Sequence, residues 1–128
     1  MRSAAAKSPT IFIVDDDEAV RGALRMLVMS FGWTARAFSS GQSFLDALPK
    51  STPDCILLDL DMPGMNGAEV QESLQAQGVK VPVIIITGQK NSQLLSRARA
   101  AGACDMLSKP FQDEELKLVI ERVIHLQH

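Results

Sequence analysis

Thr10-Ile11-Phe12-Ile13-Val14-Asp15-Asp16-Asp17-Glu18 decides the fold. Five residues rich in β-branched and aromatic side chains run without interruption into three aspartates. Such a run is short enough for a strand and too apolar for one exposed on either face. The pattern then changes period. Val20, Leu24, Leu27, Val28 and Phe31 recur at three- and four-residue steps, which predicts an amphipathic helix. Asp17 is placed to cap that helix and Gly32 to end it.

The same alternation continues outward from this unit. Thr34 to Phe38 reads as a second strand, and Gly41 to Leu48 as a short helix closed by Pro49 and Pro53. Cys55 to Leu58 is a third strand that ends at Asp59. The turn formers Met62-Pro63-Gly64-Met65-Asn66-Gly67 follow, then a helix from Ala68 to Gln77 that stops at Gly78. Val83 to Ile86 is the most apolar β-branched run, which predicts a central strand covered on both faces. Ser92 is placed to cap a helix reaching Ala101, with Gly102 beyond it. Met106 to Ser108 is a last short strand. Asp113, Glu114 and Glu115 open a final helix with charges that suit its dipole, and Leu116, Val119, Ile120 and Val123 form its buried stripe.

Five strands alternating with five helices predict an α/β fold: a doubly wound, flavodoxin-like (βα)5 domain with a parallel sheet in the order 2-1-3-4-5. Residues 10–128 are assigned to this domain and residues 1–9 to a disordered lead-in. Composition agrees with one domain. The chain has 128 residues, 46% hydrophobic and 22% charged, enough to bury a core. A net charge of −2 with no basic stripe argues against nucleic-acid binding by this domain. No apolar run approaches a membrane span, and the first nine residues lack the apolar stretch of a signal peptide. Cys55 and Cys104 match no metal-ligand spacing and read as buried free thiols of a cytoplasmic protein.

Ligands of such sheets bind beyond the carboxyl ends of the strands, near the switch point between strands one and three. Those ends carry Asp15, Asp16 and Asp17; Asp59, with Asp61 two residues on; Thr87; and Lys109-Pro110. Asp15, Asp16 and Asp59 would crowd three like charges into one pocket, which a hard oxygen-seeking cation such as Mg²⁺ relieves. Zinc is disfavoured because no His or Cys is near. Capping alone accounts for Asp17 but not for all three aspartates. A lone lysine after a strand is ordinarily just solvated. Here Lys109 could pair with Asp59 when the site is empty and with a phosphoryl oxygen when it is filled. A carboxylate beside a cation, a lysine and the Thr87 hydroxyl is equipped for phosphoryl transfer, with Asp59 as nucleophile. Acid-base work on a sugar by two carboxylates fits less well, since Lys109 intrudes and no aromatic platform is present.

Ile13-Val14-Asp15-Asp16-Asp17-Glu18, Leu57-Leu58-Asp59-Leu60-Asp61-Met62-Pro63-Gly64-Met65-Asn66-Gly67, Ile84-Ile85-Ile86-Thr87-Gly88 and Lys109-Pro110-Phe111 together resemble the receiver domain of bacterial two-component response regulators. The wording is most similar to receivers of LuxR/FixJ-type transcription regulators, and the resemblance spans the chain after its first residues. It implies that Asp59 accepts a phosphoryl group from a sensor histidine kinase. It also implies that Asp16, Asp59 and the carbonyl of Asp61 bind Mg²⁺, that Asp15 acts through metal-bound water, and that Lys109 contacts the phosphoryl group. Thr87 would report phosphorylation, Asp61 and Gln89 would influence phosphoryl lifetime, and the Lys109–Pro110 peptide would be cis. The resemblance further implies a switching face made by helix four, strand five and helix five, which could also carry a phosphorylation-dependent homodimer. Leu118, Ile124 and Leu126 exceed a single buried stripe and fit either such an interface or a wide core-facing stripe. One departure stands out: Met106 occupies the position where the family usually has Tyr or Phe, so the conformational signal is expected to be less sharp. No helix-turn-helix follows the last helix, so the chain reads as a fragment of a transcription regulator or a single-domain one.

Three other readings fit less well. A receiver-like fold used only for binding is opposed by the intact acidic pair, Asp59, Thr87 and Lys109. Asp59-Leu60-Asp61 also resembles the nucleophile motif of haloacid dehalogenase-type phosphatases. That motif follows the first strand, whereas this one follows the third, and Met62-Pro63-Gly64 stands where a hydroxyl or valine is expected. A dinucleotide site lacks its Gly-x-Gly-x-x-Gly after the first strand.

Overall fold

The computed structural model describes residues 8–88 and 92–127. The chain runs β1 (Thr10–Val14), α1 (Glu18–Ser30), β2 (Thr34–Phe38), α2 (Gly41–Ala47), β3 (Cys55–Asp59), α3 (Gly67–Ala76), β4 (Val83–Thr87), α4 (Ser92–Ala100), β5 (Asp105–Ser108) and α5 (Asp113–Gln127). The five strands form one sheet in the order β2-β1-β3-β4-β5, every neighbouring pair parallel. Every expected element is present, with ends displaced by a residue or so. Ser92 lies inside α4 rather than before it. The lead-in assigned to residues 1–9 falls mostly outside the described residues, as do Gln89 and the side chain of Leu126.

Because side chains alternate across a strand, the sheet sorts its residues into two cores. Phe12, Val14, Ile56, Leu58, Val83 and Ile85 face one side, where Phe44 of α2, Val70 and Leu74 of α3, and Ala98 of α4 cover them. Ile11, Ile13, Cys55, Leu57, Ile84 and Ile86 face the other, under Leu24 and Val28 of α1 and the α5 stripe Leu116, Val119, Ile120 and Val123. All five residues of β3 and of β4 are buried, so the central strands contain no polar alternation. β2 at one edge alternates in exposure and ends in buried Phe38, which meets Phe12 at 5.0 Å between ring centroids.

The helix starts use local side-chain chemistry. Asp17 accepts from the Ala19 and Val20 amides ahead of α1. Asn66 and Glu69 form a reciprocal capping box at α3: Glu69 N–H donates to Asn66 Oδ1 and Asn66 N–H to Glu69 Oε1, each at 2.9 Å. Gly32, with φ 90°, turns the chain out of α1 in a backbone region that favours glycine.

The cysteine expectation needs correcting. Both thiols are free, but only Cys55 is buried; Cys104 is exposed. Cys55 enters the central strand β3, whereas Cys104 leads into β5 at the sheet edge, its amide bonded to the Val83 carbonyl at 2.8 Å. Burial pushes the Cys55 thiol far above its usual range, so it stays protonated. No described helix is long and apolar enough to cross a membrane.

Candidate functional site

The parallel sheet brings the carboxyl ends of β1, β3, β4 and β5 to one rim. A cleft of about 320 Å³ opens there, bordered by Asp15, Asp16, Asp59, Asp61, Gly88 and Lys109. Register explains the convergence: Val14 lies beside Leu58, Asp59 beside Ile86, and Thr87 beside Ser108. The residues after each strand therefore emerge at nearly the same height.

Asp59 is the last residue of β3 and is only 6% exposed. Its Oδ1 accepts the Asp61 amide at 3.1 Å. Burial pushes its carboxyl up to about 6; the Asp15 and Asp16 charges push the same way, against the Asp61 amide and Lys109. Behind it the loop after β3 folds back tightly. Leu60 and Met62 are buried in the first core, and the Gly67 amide donates to the Leu60 carbonyl at 3.0 Å. A Cβ on Gly67 would lie 2.6 Å from the Asp59 carbonyl oxygen and 2.7 Å from Leu60 Cα. Only glycine fits there.

Asp15 is 2% exposed. The Asp17 amide donates to its Oδ1 at 2.9 Å, and Arg21 Nη1 donates to its carbonyl at 2.9 Å. Its Oδ2 is buried with no hydrogen bond and faces Lys109 Nζ at 3.7 Å. Burial raises the Asp15 carboxyl above the ordinary range, with the neighbouring aspartates adding to the shift and Lys109 opposing it. Lys109 therefore pairs with Asp15, not with Asp59 as the sequence suggested. Its backbone is tied to β4 through the Thr87 carbonyl at 2.8 Å, and the Lys109–Pro110 peptide is cis. Thr87, 4% exposed, donates its hydroxyl to Asp61 Oδ2 at 3.0 Å. Sequence reasoning did not foresee that bond. Met106 is half-buried in β5, in register with Ile85.

The carboxylates of Asp15, Asp16 and Asp59 each offer an oxygen within 4.8 Å of the others. One cation could take all three, and the buried Oδ2 of Asp15 lacks the hydrogen bond such an atom ordinarily has. The donors are all oxygens, which suits Mg²⁺ better than zinc.

This fold, with its acidic rim, is that of a receiver-type signalling domain. The response regulator receiver domain family matches residues 11–121, and the chain belongs to it. It is 40% identical over 114 residues to the transcriptional regulatory protein FixJ of Bradyrhizobium diazoefficiens, covering 89% of this chain and 56% of that protein. It is 38% identical over 126 residues to the response regulator TodT of Pseudomonas putida, covering 98% and 56%. Among solved structures, full-length FixJ from B. japonicum superposes with a TM-score of 0.87 at 38% identity, over 93% of this chain and 59% of that one. The chain thus spans about half the length of the curated relatives it matches.

Proposed function

We propose that Asp59 is the phosphoacceptor of this receiver and that a sensor histidine kinase is its donor. The observation that supports this most is the gathering of three carboxylates and Lys109 around one buried strand end. A carboxylate oxygen of Asp59 forms the new O–P bond as the P–N bond of a phosphohistidine breaks, and the departing imidazole nitrogen keeps the electron pair.

Asp16 and Asp59 would hold Mg²⁺ by their carboxylates and Asp61 by its carbonyl, with Asp15 acting through water. When bound, the ion neutralises charge on the transferring oxygens. Asp59 must be ionised to attack, and positive charge at the rim favours that form against the upward push of burial. Lys109 reaches the rim from β5 and supplies a second positive charge to a phosphoryl oxygen once it leaves Asp15. Thr87 offers its hydroxyl from β4. Asp61 and Gln89 set phosphoryl lifetime. The signal passes to the α4–β5–α5 face, with Met106 in the aromatic's place, and from there to a transcriptional output domain in the cytoplasm. That face is also the proposed homodimer surface. Ile124 packs against the second core, which leaves Leu118, 62% exposed, as the described apolar side chain of α5 still unburied.

Intact mass after incubation with acetyl phosphate tests the chemistry. A phosphoryl-sized gain that needs Mg²⁺ and is lost in Asp59→Asn is expected. No gain, together with no beryllofluoride binding, would leave a degenerate receiver used only for binding.

A further inference from the structure

We propose that Asp61 restrains the switch threonine: its carboxylate holds the Thr87 hydroxyl in the unphosphorylated protein and must give it up before that hydroxyl can serve a phosphoryl group on Asp59. The inference rests on the reading of Asp59 as phosphoacceptor and names a residue that regulates the same site.

The bond runs from Thr87 Oγ1 to Asp61 Oδ2 at 3.0 Å. Both partners stand on fixed backbone. Thr87 is the buried last residue of β4, and its carbonyl accepts the Lys109 amide at 2.8 Å. The Asp61 amide is held by Asp59 Oδ1 at 3.1 Å, and Leu60 just before it is bonded to the Ile86 carbonyl at 2.9 Å and fully buried. Little conformational freedom is therefore lost when the two side chains meet, and a hydrogen bond to a charged acceptor is among the stronger kinds.

A hydroxyl carries one proton to donate. With Asp59 modified, the phosphoryl oxygens become a second acceptor at the same rim, and Thr87 cannot donate fully to both. Asp61 also places a negative charge two residues from the new dianion. The hydroxyl's move from Asp61 to the phosphoryl group is thus an exchange of acceptors, and the carboxylate biases it toward the resting arrangement. Removing Asp61 should make the active arrangement easier to reach through Thr87, beyond the relief of repulsion alone.

Calorimetric affinity for beryllofluoride, with Mg²⁺ saturating, separates the two effects across wild type, Asp61→Ala, Thr87→Val and the double variant. Asp61→Ala is expected to tighten binding about tenfold when Thr87 is present and clearly less in the Thr87→Val background, a non-additivity that marks direct coupling. Equal gains in both backgrounds would assign Asp61 to charge repulsion and overturn the proposal, as would no gain at all. A second reading needs no ligand: the Thr87 methyl resonance of the unmodified protein should shift in Asp61→Ala, and an unmoved resonance would also overturn it. If the wild type binds no beryllofluoride, or binds it equally well as Asp59→Asn, the phosphoacceptor reading fails and the restraint falls with it. Binding that depends on Asp59 but shows no coupling sinks the restraint alone.

Discussion

Lys109 Nζ lies 3.7 Å from Asp15 Oδ2, an ion pair in which the carboxylate side chain is 3% exposed and the ammonium side chain 31%. The lysine is therefore the counter-ion of the pocket's most enclosed carboxylate. It competes for the space a metal would neutralise. Lys109→Gln is expected to lower stability without divalent cation by about 1 kcal/mol, a modest figure because the pair is long and partly solvated. The same variant should bind Mg²⁺ several-fold more tightly, because the ion no longer competes with an ammonium. Urea denaturation and calorimetry measure the two effects. Weaker Mg²⁺ binding in the variant would mean that Lys109 positions the carboxylates rather than screening them.

The Asp59 carboxyl titrates near 6, above the ordinary value of about 3.9. Between those values the unfolded chain loses its proton while the folded one keeps it, so stability falls as pH rises through the window. The deficit is complete above the folded value and amounts to roughly 2–3 kcal/mol at about 1.4 kcal/mol per unit. Asp15 is raised too and acts in the same direction. Asp59→Asn should therefore match wild type near pH 4 and exceed it by that amount near pH 7. Saturating Mg²⁺ should shrink the difference, because the ion compensates the charge in wild type. A difference that does not change with pH would refute this account.

Gly67 and Gly22 should respond oppositely to alanine. At Gly67 the added carbon meets backbone at 2.6 and 2.7 Å, so the loop behind Asp59 must move. A loss of about 2–3 kcal/mol is expected, with poorer phosphoryl uptake. At Gly22, exposed in the middle of α1, nothing lies within 4 Å. Gly22→Ala is expected to raise stability by about 0.5–1 kcal/mol through helix propensity. Thermal or chemical denaturation of the pair checks both signs.

The Asn66–Glu69 box holds the start of α3 just after the Asp59 loop. Asn66→Ala should cost about 1 kcal/mol, and Asn66→Ser much less, since serine can also accept from the N3 amide. Equal losses in the two variants would show that the cap contributes little.

Much of this protein is legible in its sequence. The uninterrupted apolar runs Cys55 to Leu58 and Val83 to Ile86 announce strands buried on both faces, and β3 and β4 are buried throughout. The three-and-four spacing of Leu116, Val119, Ile120 and Val123 announces a helix stripe, and all four are buried. Asp17 could be named as a cap because capping is local chemistry. The Asn66–Glu69 box is just as local, an Asn three residues before a Glu, but the turn formers around Asn66 mask it.

Other features depend on distance across the fold, and composition cannot report them. Cys104 and Cys55 both adjoin apolar runs, but one lies at an edge strand and the other in a central one, so only one is buried. Lys109 meets Asp15 rather than Asp59, a choice set by where its side chain reaches across the rim. Thr87 and Asp61 are 26 residues apart, and the parallel register of β3 and β4, with the loop that folds back after Asp59, brings them to hydrogen-bond distance.

By itself, then, the sequence determined the order and type of the elements and which residues stand at strand ends, because periodicity and capping act over a few residues. The tertiary structure decided which of those residues touch. Partner choice within the rim depends on register, burial and reach between strands that are remote in the chain, and those quantities exist only once the sheet has formed.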